Sequence, residues 1–111
     1  MIIVTRILDS LRAGHLVPAR SPHWPKVRAA WLKDHPTCAA CGTMLNAEVH
    51  HMKPFHLYPE LELQPSNFIT LCERKGDECH LHVGHNDNWK LFNINVIPDA
   101  TAELVKHQPL K

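Results

Sequence analysis

The sequence predicts a small α+β domain held together by a cysteine-bound metal, and three observations carry that prediction. The chain has 111 residues, the size of one domain, and at that size a metal or disulfides commonly supplement a modest core. Two short β-like stretches, about Ala47–Met52 and Phe68–Leu71, stand between segments with helical spacing of apolar residues. Four cysteines and ten histidines are present, and Cys38 and Cys41 are separated by only two residues.

The elements follow in chain order. Ile3, Ile7 and Leu11, with Val4, Leu8 and Leu11, recur at helical spacing and predict a helix over about Thr5–Ala13. Its apolar face is read as either core packing or a homodimer surface. Gly14–Arg20 reads as a linker, so residues 1–20 form an amino-terminal helix and linker. Ser21-Pro22 is a helix start, an N-cap followed by proline at the first helical position. The helix is predicted over Pro22–Asp34, with Pro25 still in its first turn, where no intrahelical bond is removed. Trp24, Val27 and Trp31 form an apolar stripe and are read as core residues. Pro36 ends this helix.

Between the two β-like stretches lies KPFHLYPELELQPSN, too rich in proline for a long regular element. A short helix is predicted over about Glu78–His85. Asn86–Pro98 reads as loop, with Trp89, Leu91 and Phe92 available for packing. Asp99 is read as the cap of a last helix, Ala100–Lys106, within a carboxy-terminal extension of residues 94–111.

Composition narrows the function classes. No apolar run reaches the length needed to span a membrane, and MIIVTRILDSLRAG has only a short apolar run before Thr5 and Arg6, unlike a secretory signal. A reducing cytoplasm is the expected compartment, where cysteines bind metal more often than they form disulfides. The formal charge is +1, unevenly spread: residues 1–35 hold six Lys and Arg against two Asp, and residues 36–111 hold six against nine acidic side chains. A basic amino-terminal part suits an acidic polymer, although a solvated helix face accounts for the charges equally well. Lys26 and Lys33, seven apart, share one helix face.

Cys38-Ala-Ala-Cys41-Gly42 lets two sulfurs reach one tetrahedral ion while the glycine lets the backbone turn close beneath it. Cys72 and Cys79 supply a second pair, with six residues (ERKGDE) between them where two are common. Four thiolates close a zinc site completely, which makes it structural. The long second gap leaves open whether Cys79 or His80 is the fourth ligand. The alternative is two disulfides, with three pairings available.

VHHMKPF (Val49–Phe55) is followed by QPSNFITLC and then ECHLH. His-His, Asn and His, threaded between the CxxC and the later cysteine pair, resemble the zinc-containing branch of the HNH endonucleases, also called ββα-metal or His-Me finger nucleases. ARSPHWPKVRAAWLKDHPTCAACG resembles the lead-in to that family's zinc knuckle, and the PELEL linker is similar to that of small phage and bacterial members. The resemblance runs from about Arg20 to Asn93, which makes residues 21–93 the nuclease domain. It implies a hairpin followed by a helix that presents a metal ligand. It also implies His50 and His80 as ligands of a catalytic divalent ion, His51 as general base, and Asn67 as a brace for the loop carrying the base.

The chemistry agrees with those roles. Phosphodiester hydrolysis needs an activated water and charge stabilisation at the phosphate, and imidazole is the side chain best suited to general-base work near neutral pH. Two protein ligands leave coordination places open, which favours Mg²⁺, with Mn²⁺ or another first-row ion more tolerant of imidazole. His82 and His85 are further candidates for the metal shell, and His85 is preferred because some relatives carry a second histidine on this helix. His80 and His85, five apart, are poorly aligned on an α-helix. His15, His23, His35, His56 and His107 read as surface or supporting side chains.

The expected activity is metal-dependent DNA cleavage or nicking with little sequence specificity. The resemblance implies a 3′-hydroxyl and a 5′-phosphate as products, and Lys26, Arg28 and Lys33 are expected on backbone phosphates. Two alternatives stand beside it. One is a zinc-stabilised nucleic-acid- or protein-binding module without catalysis. The other is a phage DNA-packaging accessory nuclease acting beside a terminase and portal.

Overall fold

Two five-residue strands, β1 (Ala47–His51) and β2 (Phe68–Cys72), pair antiparallel in the computed structural model, which describes residues 19–107. Ala47 lies opposite Cys72 and His51 opposite Phe68. Val49, Phe68, Ile69 and Thr70 suit a half-buried pleated surface. The result is a small mixed helix–strand domain with a two-stranded sheet. The helix expected over Thr5–Ala13, and the dimer surface read from it, lie outside the described residues.

Helix α1 (Trp24–Asp34) begins two residues later than expected. Ser21 Oγ accepts the His23 N–H at 3.1 Å and the Ser21 carbonyl accepts the Trp24 N–H at 3.1 Å. Ser21-Pro22-His23 therefore form a separate turn ahead of the helix. No residue of α1 is fully buried. Trp24 and Trp31, expected in the core, are half-buried and both meet the Phe68 ring edge-on, with centroids 5.5 Å away. Trp31 Nε1 donates to Thr70 Oγ1 at 3.0 Å, and that hydroxyl donates to the His35 carbonyl at 2.7 Å, fixing the end of α1 on β2.

The proline-rich connection turns on itself at Pro54–Tyr58 and forms two short 3₁₀ turns, Pro59–Leu61 and Pro65–Asn67. The segment expected as a helix over Glu78–His85 is a π-helical segment, His80–Gly84. It starts late because Glu78 has left-handed backbone geometry (φ +44°). Helix α2 spans Val96–His107, four residues earlier at its start than expected. Asn93, not Asp99, sets that start: its Oδ1 accepts the Asn95 N–H at 2.8 Å and its carbonyl the Val96 N–H at 3.3 Å. Pro98 then falls in the first turn, where it costs no bond.

The core gathers Cys38, Ala40, Leu71, Cys72, Cys79, Val83, Val96 and Ala100. Seven of these eight are cysteine, alanine or valine, so the core holds little bulky apolar volume. Among the described residues no helix is long and apolar enough to cross a membrane.

Candidate metal centres

Cys38, Cys41, Cys72 and Cys79 bring their sulfurs within 4.8 Å of one another, an arrangement that could hold a metal such as zinc. The tight turn after Cys38 makes this geometry. Gly42 takes φ +80° and donates its N–H to the Cys38 carbonyl at 2.9 Å. Cys41 and Cys72 place their sulfurs 3.6 Å apart, close to the ~3.8 Å edge of a tetrahedron with metal–sulfur bonds of ~2.3 Å. All four cysteines are free, so neither disulfide of the alternative reading forms. The fourth sulfur is that of Cys79, and His80 belongs to a different cluster. Burial, with the charge of neighbouring sulfurs, pushes the Cys41 thiol up to about 11 and Cys79 higher still. Four sulfurs packed this closely can all ionise only with a cation among them.

The second cluster is His50, His80 and His85, again with ligand atoms within 4.8 Å of one another. His80 Nδ1 meets the Glu73 carboxylate at 3.1 Å, and His85 Nδ1 meets the Leu91 carbonyl at 2.7 Å. Carboxylate and carbonyl oxygens only accept, so each Nδ1 carries the proton and each Nε2 presents a lone pair. His80 Nε2 lies 3.1 Å from His50 Nδ1. With the His80 lone pair as acceptor, His50 Nδ1 donates across this contact; a cation in the cluster would take the place of that proton and leave it on Nε2, which is buried without a partner. Burial, followed by the neighbouring His80 and His85, lowers His50 to about 3 and keeps it neutral, the protonation state a metal ligand requires.

The π-helical segment explains why His85 joins. Five residues on an α-helix leave two side chains about 140° apart, whereas a π turn accommodates the extra residue and returns His85 to the side of His80. Ring centroids lie 5.0 Å apart for that pair and 4.8 Å for His50 and His85. His82 points away and bonds Asp87 at the surface. Gly84, within the segment, packs directly on the His50 ring: a Cβ there would sit 3.1 Å from His50 Nδ1 and Cε1 and 3.0 Å from Leu71 Cδ1.

His51, the next residue on β1, faces the other way. Its Nε2 donates to the Glu62 carbonyl at 2.8 Å, and its ring packs against Trp24 at 4.6 Å and Phe68 at 5.2 Å. The bonded carbonyl leaves Nδ1 as the basic nitrogen. Burial lowers the His51 pKa; the carbonyl bond pulls the other way and the Arg20 charge adds to the lowering. Asn67 holds the chain just beyond it, accepting the Lys53 N–H at 2.8 Å and donating to the Lys53 carbonyl at 3.0 Å.

His50, His51, His80 and His85 line one open cleft of about 380 Å³ with Trp24, Arg20 and Arg28. Of the three cations expected on phosphates, only Arg28 lines it, paired with Glu48. Lys26 and Lys33 are exposed on α1 but lie outside it, since Lys26 is two residues, about 200°, from both Trp24 and Arg28. Arg20, not foreseen, lines the cleft as well. Its Nε donates to Glu62 at 2.7 Å and its guanidinium lies 4.4 Å from the Phe55 ring centroid and 5.0 Å from that of Trp24. Sequence reasoning also missed Glu62, Glu73 and Gly84. The adjacent pairs Cys72-Glu73 and Cys79-His80 were the available signal for Glu73; the second glutamate of PELEL gave none for its own backbone carbonyl. Compared with known proteins, the chain matches no protein-family model, no curated protein and no solved structure.

Proposed function

We propose that this protein is a metal-dependent phosphodiester hydrolase that nicks or cleaves DNA, of the HNH kind that its motifs resemble. The observation that carries the reading is the cleft: three imidazole nitrogens converge in it beside a fourth imidazole whose tautomer is set by a backbone carbonyl. Zinc at the four cysteines would be structural, since four sulfurs leave no place for substrate. The histidine cluster supplies three neutral nitrogens and no carboxylate. That donor set favours Mn²⁺ or another first-row ion over the oxygen-seeking Mg²⁺.

A divalent ion held there would stabilise charge on the phosphate and leaving oxygen. His51 takes the proton of the attacking water on Nδ1, while its Nε2–H stays on the Glu62 carbonyl and keeps the ring from turning. Asn67 keeps the following loop fixed by bonding both backbone groups of Lys53. Arg20 faces the same cleft; clamped by Glu62, its guanidinium is already ordered to meet a phosphate oxygen. The base-catalysed part is worth about 10²- to 10⁴-fold.

Incubating supercoiled plasmid with the protein and Mn²⁺, Mg²⁺ or EDTA tests this reading. Nicked or linear product with Mn²⁺, less with Mg²⁺ and none with EDTA is expected. DNA retained by the protein but left intact with every ion would instead identify a binding module.

A further inference from the structure

The two clusters touch through consecutive residues. Cys72 and Cys79 belong to the sulfur cluster, and the residues that follow them, Glu73 and His80, meet side chain to side chain at 3.1 Å. Glu73 is not itself one of the converging ligands; it holds the nitrogen of His80 that points away from them. Its backbone is fixed as well, through its N–H on the Asn46 carbonyl at 2.8 Å.

We propose that Glu73 is a positioning residue of the histidine centre: it fixes the tautomer and orientation of His80, and through Cys72 and Cys79 it hangs that ligand from the cysteine centre. An imidazole free to rotate or to carry its proton on Nε2 offers the cleft a proton instead of a lone pair. The Glu73 carboxylate removes that alternative, because only Nδ1–H can serve it. Carboxylates placed this way also raise the basicity of the ligand, and losing one costs about 10- to 100-fold in metal affinity. The inference rests on the histidine cluster binding a divalent ion.

The test is Mn²⁺ affinity, read from the free-ion electron paramagnetic resonance signal, for the zinc-loaded wild type, Glu73→Ala and Glu73→Gln. The Glu73 side chain is about half exposed, so both variants are expected to melt as the wild type does. Glu73→Ala should bind about 10- to 100-fold more weakly. Glu73→Gln keeps an acceptor oxygen at the same reach and should recover most of that loss. Alanine affinity within twofold of wild type, or a glutamine variant as weak as alanine, would overturn the role given to Glu73 while leaving the metal centre intact. No Mn²⁺ binding by the wild type would overturn the centre itself and the positioning role with it.

Discussion

Gly84 sits where a side chain would be crowded. A methyl group at that position would press on both Leu71 and the ligand nitrogen of His50. Gly84→Ala is therefore expected to destabilise the fold by about 1–3 kcal/mol, the usual cost of overpacking, and to weaken Mn²⁺ binding. Thermal melts and an Mn²⁺ titration check both; an alanine variant unchanged in each would show that His50 has room to move. His50 also makes acid stability predictable. Its imidazole titrates near 6.5 when exposed and about 3 in the fold, so between those values the unfolded chain binds more protons. Stability of the protein without metal in the histidine cluster is thus full above about pH 6.5 and falls as the pH drops, by up to about 1.4 kcal/mol per pH unit from this residue. A melting midpoint flat from pH 7 to 4 would contradict a buried neutral His50. His51 is lowered too, so the acid limb of cleavage belongs below 6.5.

At the scale of elements, the decisive piece is the five-residue π-helical segment. That winding was not legible in the sequence, because local propensity does not separate α from π turns; packing of Val83 and Gly84 on the strands decides it. Spacing of apolar residues did locate both strands to within a residue, since β-branched and aromatic side chains there agree with the burial pattern. Helix starts were less legible. Ser21 and Asp99 are both good caps by type, yet Ser21 caps a preceding turn and Asp99 instead accepts a bond from Asn93. Tertiary contacts choose among caps that composition alone makes equivalent. The grouping of the four cysteines and of His50, His80 and His85 was legible because residues able to hold a metal are few and chemically distinctive. Glu62 was not, since what it gives His51 is a backbone carbonyl.

For the whole molecule, the cysteine cluster replaces a large apolar core. Leu71 and Cys72 are fully buried, and they sit among small residues from every later element. Purified protein is expected to contain about one zinc per chain. Cys38→Ser should lose that zinc together with cooperative unfolding, and an intact, cooperative melt from a zinc-free Cys38→Ser protein would contradict a structural role. Because Glu73 and His80 follow two of the sulfurs, the same variant should also lose Mn²⁺ binding at the histidines.

In the proposed mechanism His51 takes a proton beside a metal held by its neighbours. The most direct measurement is the nicking rate of supercoiled plasmid at saturating Mn²⁺ for wild type and His51→Ala, with zinc content and Mn²⁺ affinity measured on the same samples. A fall of about 10²- to 10⁴-fold in rate, with both metal measurements unchanged, is the predicted result. Nicking by His51→Ala within a fewfold of wild type would contradict it.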